Sequence, residues 1–400
     1  MKNVRSLLAP AIVSVALFSI SCSDEPTSVP STPQNAGKNG GQIVAAPPGF
    51  AKVPDHYIVV FNDNVDQGYV DGEVERLRSQ YDLTVSTVYS ESIKGFAGFI
   101  PPGQLKKLAG EFTIERIEED FEITLNPVDE KARPGSGGGG TVGQAVPWGV
   151  TRVGGPFNGA GKFAWIIDTG IDPNHRDLLV DGGRSANFVT SGKLSSPAWS
   201  DGNGHGTHVA GTIAALNNTV DVVGVAAGAT VIAVRVLDNR GSGLYSWIIA
   251  GVEHVARNAQ PGDVANMSLG GGFYATLNQA VINTATNAQV KFALAAGNEA
   301  RDCSATSPAS ANGQGIYTVS AHDNGDVFAT FSNFGAPVDI SAPGVTVLST
   351  KRGGGTTSMS GTSMAAPHVA GILLVGNVGA RGVVIGDKDA WPDGLATRVP

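Results

Sequence analysis

Phe163-Ala164-Trp165-Ile166-Ile167 is apolar at every position, with none of the alternation of a strand that shows one face to water. A strand of that kind must be buried on both faces. Comparable runs fall at 231–237, 264–269, 292–296 and 316–320, and patterns of helical spacing lie between them near 206–216, 243–258 and 274–287. Doubly buried strands alternating with helices require a mostly parallel sheet covered on both sides. The expectation for residues 143–400 is therefore an α/β, doubly wound domain. No internal repeat interrupts it.

A smaller unit precedes this domain. His56-Tyr57-Ile58-Val59-Val60-Phe61 reads as a strand, and Val70, Val74, Leu77 and Tyr81 then fall at helical spacing. Strands over 85–89 and 93–100, a short helix over 101–109 and a strand region over 112–125 complete a β-α-β-β-α-β order. That order predicts a ferredoxin-like α+β domain over 56–127. The four-glycine stretch after Arg133-Pro134-Gly135-Ser136 cannot enter a core, so 128–142 reads as a linker open to proteolytic processing. Residues 23–55, rich in Ser, Pro, Thr, Gly and Asn, read as a flexible tether.

The first 22 residues carry Lys2 and Arg5 ahead of an apolar stretch from Leu7 to Ile20, too short to span a bilayer; this is the pattern of an export signal. Two endings fit it. Ser19 and Ser21 have the spacing of ordinary signal cleavage, and Cys22 stands where a bacterial lipoprotein would accept a lipid anchor. The protein is thus expected outside the cell or on the bacterial cell envelope. With only Cys22 and Cys303 in 400 residues, no disulfide framework or cysteine-rich zinc site is available. A net charge of −8 disfavours nucleic acid or an anionic membrane as partner.

Three segments carry chemistry. Asp168 ends the first buried run, in Ile166-Ile167-Asp168-Thr169-Gly170, where α/β sheets collect functional groups. Asp-Thr-Gly also marks aspartic proteases, but those need two carboxylates sharing one site and no second copy is present. His205 lies in Asp201-Gly202-Asn203-Gly204-His205-Gly206-Thr207-His208, between glycines and ahead of a helix. The spacing lacks the His-Glu-x-x-His of zinc proteases, so His205 reads as a general base and His208 as a structural helix residue. His175, His254, His322 and His368 read as surface or satisfied polar groups. Ser363, in Gly361-Thr362-Ser363-Met364-Ala365-Ala366-Pro367-His368, stands between a glycine turn and a strong helix former. A hydroxyl there is exposed, firmly aimed and close to helix N–H groups. The order Asp, His, Ser differs from the Ser, acid, His order of α/β-hydrolases.

In these motifs and their order the chain resembles the subtilisin-like serine proteases, especially the proteinase K branch, over roughly 141–375. Gly95-Phe96-Ala97-Gly98-Phe99 and Ile117-Glu118-Glu119-Asp120 make 56–127 similar to that family's inhibitory propeptide. The resemblance implies a self-processing zymogen of a secreted, monomeric serine endopeptidase that cuts protein or peptide substrates, with its own propeptide as intramolecular inhibitor. Ser363 would be nucleophile, His205 base, Asp168 the acid that orients it, and Asn298 an oxyanion donor. Gly241, Gly243, Ser268, Leu269, Gly270, Ala295 and Gly297 would bind substrate around a roomy, uncharged pocket with an apolar or aromatic preference. A structural Ca²⁺ would take side-chain oxygens of Gln144, Asp177 and Asn218 and the carbonyls of Leu216, Val220 and Val222, a hard-oxygen set; Asp339 is a candidate for a second, weaker site. The family normally has a longer tail after the serine, so the 37 residues beyond Ser363 are expected to leave the fold short. The rival functional class is a catalytically silent, lipid-anchored binding protein on the same scaffold.

Overall fold

The computed structural model describes residues 40–125, 143–192 and 196–400. The export signal, Cys22 and the 128–142 linker lie outside the described residues. Among those described, no helix is long and apolar enough to cross a membrane.

The large domain is built on a ten-stranded sheet. Its central members, in spatial order, are Ile340–Pro343, Ile316–His322, Lys291–Ala295, Val264–Met267, Phe163–Asp168 and Thr230–Arg235, all parallel. Their side chains are buried on both faces, as the unbroken apolar runs require. One layer packs Val209, Ile213, Met364, Val369 and Ile372 from the helices His205–Ala214 and Thr362–Val375 against one face. The other layer packs Ile248, Val252, Leu277 and Val281 from Tyr245–Asn258 and Ala275–Asn287 against the opposite face. A fully buried Ile or Leu of this kind contributes about 1.5–3 kcal/mol. Parallel strands align their carboxyl ends along one edge, and that edge receives Asp168.

The tail departs from expectation. Gly394–Val399 joins the sheet beside Ile340–Pro343 and pairs antiparallel with Asn377–Val383, so the 23 residues from Asn377 to Val399 make a hairpin that extends the sheet edge. Leu395 and Ala396 are neighbours buried on opposite faces of the strand, so no alternation marks it beside the polar stretch ahead of it.

The small domain has the order Lys52–Phe61, Val70–Tyr81, Thr84–Tyr89, Gly95–Phe99, Leu105–Leu108 and Ile114–Thr124. The tether reading of 23–55 is corrected at its end: Gln42–Val44 pairs in parallel with Ile114–Thr124, and Lys52 already belongs to a strand. A three-residue strand has too little sequence to show a period; it forms because an unpaired sheet edge is there to take it.

Both domains belong to one compact unit. The helix Tyr245–Asn258 has no side-chain cap of its own. Asp120 of the small domain supplies one, accepting from the Ser246 N–H at 3.1 Å and from the Ser246 hydroxyl. Nearer the end of that helix, the Glu253 carboxylate accepts the N–H groups of Ser90, Glu91 and Ser92 and the Ser92 hydroxyl at 2.7–2.9 Å. Phe121 packs on Tyr245 and Tyr274, at 4.6 and 5.4 Å between ring centres.

Candidate active site

Asp168 is fully buried at the end of its strand, and His205 opens the helix that follows the glycine loop. His205 Nδ1 lies 2.8 and 3.0 Å from the two Asp168 oxygens. The approach depends on Gly206, where a Cβ would stand 2.1 Å from the Gly170 carbonyl; any other residue would push the helix off the strand end. Burial pulls the imidazole pKa down, but the Asp168 charge, its hydrogen bond and the charge of Asp201 outweigh that and hold it above its usual value. The Nε2 atom is buried without a partner, so its lone pair is available for a proton.

Ser363 sits in the first turn of Thr362–Val375, and Pro367 explains much of its setting. A proline inside a helix has no N–H for the carbonyl four residues earlier. That carbonyl is Ser363 O, and Ser268 Oγ donates to it at 2.8 Å instead. Asn266 Nδ2 in turn donates to Ser268 Oγ at 2.9 Å. The Ser363 hydroxyl itself donates to the Ser268 carbonyl at 3.2 Å, long for an O–H···O bond. The Asp168–His205 pair is thus closed, while the Ser363 hydroxyl rests on a carbonyl. No hydrogen bond from Ser363 to His205 is made among the described residues.

Asn298 Oδ1 accepts the Thr362 N–H at 2.8 Å and the Thr362 hydroxyl at 2.9 Å. Those two donors fix the amide's orientation and leave its NH₂ as the donating end beside Ser363. A pocket next to the serine is lined by Leu269, Gly270, Ala295, Gly297 and Asn298, with Glu299 also on its wall. The expectation of an uncharged pocket is corrected by that carboxylate, which Asn333 Nδ2 holds at 2.7 Å. Glu299 directly follows Asn298, but spacing alone gave no reason to turn it toward the pocket.

The segment before the linker lies in this cleft. Thr124 and Ile123 pair antiparallel with Ser242 and Gly243, and the Leu125 N–H donates to Gly241 O at 2.9 Å. Ile123 is buried and touches Gly271, and Leu125 lines the pocket that holds Ser363. Gly241, at φ +83°, faces Leu125 where a Cβ would come within 3.2 Å of it.

The hard-oxygen set also converges. The Gln144 amide nitrogen lies 2.6 Å from Leu216 O, 2.9 Å from Val222 O, 3.2 Å from Asn218 Oδ1 and 3.4 Å from Val220 O. Asn218 Nδ2 donates to Asp177 Oδ1 at 2.7 Å. Burial, opposed by hydrogen bonds from Val222 and Asn218, pushes the Asp177 carboxyl up to about 6. Four oxygens around one donor position, with the Asp177 carboxylate beside them, fit a hard cation. A nearby positive charge would draw the Asp177 proton off. Asp339 instead accepts the Thr318 N–H. Among the described residues no cluster of three or more His, Cys, Asp or Glu is placed to hold a metal.

Of the other histidines, His208 is buried in its helix with Nε2 3.0 Å from Val347 O, and burial lowers its pKa to about 3. His175, His322 and His368 are buried, each with Nδ1 bonded and Nε2 unpartnered, which removes the surface alternative for them; His254 is partly exposed, against Arg184 O. Cys303 is a buried free thiol, and burial above all pushes it up to about 12.

Residues 161–375 match the model of the subtilase family, more than half of the chain. The chain is 38% identical over 336 residues to a cuticle-degrading protease of Metarhizium anisopliae, which covers 80% of this chain and 79% of that relative. It is 37% identical over 352 residues to alkaline serine exoprotease A of Vibrio alginolyticus, covering 83% of this chain and 62% of that one. A cold adapted subtilisin-like serine proteinase of known structure superposes with a TM-score of 0.54 at 36% identity, over 63% of this chain and 98% of the other. The fold and these relatives define a serine protease. The chain belongs to the subtilase family.

Proposed function

We propose that this subtilase is an exported endopeptidase made as a zymogen, with Ser363, His205 and Asp168 as its triad. The observation that carries the reading is the buried Asp168–His205 pair with an unpartnered Nε2, at the start of a helix that packs against the helix whose first turn holds Ser363. When a peptide strand takes the Ser268 carbonyl, the Ser363 hydroxyl loses its resting partner and turns to Nε2. His205 removes its proton as Oγ attacks the peptide carbonyl, and later returns that proton to the leaving amine. Asp168 holds the imidazole in the tautomer that leaves Nε2 free. The developing oxyanion takes the Ser363 N–H and the Asn298 NH₂, groups already fixed in place before reaction.

Residues 56–125 act as the intramolecular inhibitor. Ile123, Thr124 and Leu125 occupy the edge of Gly241–Leu244 as an added strand, the place a substrate would take. Ile123 and Leu125 beside small lining residues support an apolar preference. Gln144, Asp177, Leu216, Asn218, Val220 and Val222 would hold Ca²⁺, which supplies a structural cross-link among three segments. The decisive experiment is titration of the mature enzyme with a phosphonofluoridate. One equivalent bound at Ser363, and none in Ser363→Ala, is the expected result. A wild-type protein that takes no label would be the silent scaffold.

A further inference from the structure

Asp201 is almost fully buried and bonds to no cation, yet its carboxylate gathers five donors. Oδ1 accepts the Thr169 hydroxyl at 2.9 Å and the N–H groups of Asn203 and Gly204 at 2.9 and 2.8 Å. Oδ2 accepts the Thr207 N–H at 3.0 Å and the Thr207 hydroxyl at 2.6 Å. Thr169 Oγ1 also accepts the Gly206 N–H at 3.0 Å. Thr169 directly follows Asp168; Asn203, Gly204, Gly206 and Thr207 flank His205. One carboxylate therefore ties the strand end bearing the acid to the helix start bearing the base.

We propose that Asp201, acting through Thr169 and the first turn of the helix, is a positioning residue for the Asp168–His205 pair and a second negative charge that stabilises the imidazolium. This rests on the catalytic reading above. A plain helix cap would need one or two of these bonds, and none from the neighbouring strand. The charges around the pair are few. His205 faces Asp168, Asp201 and, one turn on, His208. Asp201 faces His205 and Arg235, and Arg235 also feels Asp238. Arg235 spends its guanidinium on the carbonyls of Ala198, Ser200 and Leu237 and on Asn239 Oδ1, so it does not cover the Asp201 oxygens. Burial pushes the Asp201 pKa up, while Thr207 and the Gly204 and Asn203 N–H groups favour its charged form.

The test is the pH profile of kcat/KM for mature Asp201→Asn beside wild type, after both are titrated with the phosphonofluoridate. With the charge removed, the imidazolium is less stable, and the acid limb moves to lower pH by about 0.5 unit or more. Loosened geometry lowers kcat by about 10–100-fold with KM nearly unchanged. A reduced kcat or melting temperature with an unmoved acid limb would overturn the proposal, leaving Asp201 a fold-holding residue. Absence of labelling in wild type would instead sink the catalytic reading. Should Asp201→Asn not mature, Thr169→Val cuts the link and keeps both charges. It is expected to lower kcat several-fold with the acid limb in place, and an unchanged kcat would overturn the proposal.

Discussion

At the scale of single residues, the chemistry of the cleft depends on which atoms are already committed. Asn298 spends its carbonyl on Thr362, so only its NH₂ can serve an oxyanion. Asn298→Ala is expected to lower kcat about 100- to 1,000-fold with KM little changed; steady-state kinetics on a peptide anilide would check it, and an equal rise in KM would place Asn298 in ground-state binding. Asp168, His205 and Ser363, the proposed triad, stood out in the chain because glycine turns and strand ends flank them. Asp201, Thr169 and Pro367 stood in the same motifs without a legible role. Their work is done by hydrogen bonds to partners as much as 37 residues away or by a bond left unmade, and spacing records neither.

At the scale of elements, the small domain supplies what the helix Tyr245–Asn258 lacks. Four donors from residues 90–92 converge on Glu253, and hydrogen bonds to a charged group are worth about 1.5–3 kcal/mol. Glu253→Ala should therefore loosen the small domain; if that domain is the inhibitor proposed above, activity appears faster after export, with no change in the mature enzyme's kcat. The terminal hairpin holds a second charge problem. Asp393, at the start of Gly394–Val399, bonds to the Ser320 hydroxyl, and burial, with Asp387, Asp389 and Asp339 adding repulsion, pushes it up to about 7. A carboxyl raised in the folded state favours folding where it is protonated and opposes it as pH rises through 7. Asp393→Asn should then raise stability by about 2–4 kcal/mol at pH 8 and least at pH 4, in urea titrations across that range. The hairpin was unread because each strand is short and its apolar side appears only against the sheet edge it joins.

At the scale of the whole molecule, the N-terminal segment of the large domain is pinned through Gln144 to a loop more than 70 residues on. A cation among those oxygens would stabilise the folded chain by mass action. Excess EDTA is expected to lower the melting temperature of the mature enzyme by about 5–10 °C, and the drop should shrink below pH 6, where Asp177 takes up a proton and competes with the metal. An identical melt with and without chelator would remove the site. The alternation of doubly buried strands with helices was legible in the sequence alone, because burial on both faces and helical spacing are local patterns, and the motifs by themselves nominated Asp168, His205 and Ser363 as candidates. Tertiary structure alone decided which carbonyl the serine rests on, which carboxylate caps a helix of the other domain, and that the last hairpin completes the sheet. Each of those depends on groups far apart in the chain finding unsatisfied partners, and an unsatisfied partner exists only once the rest has folded.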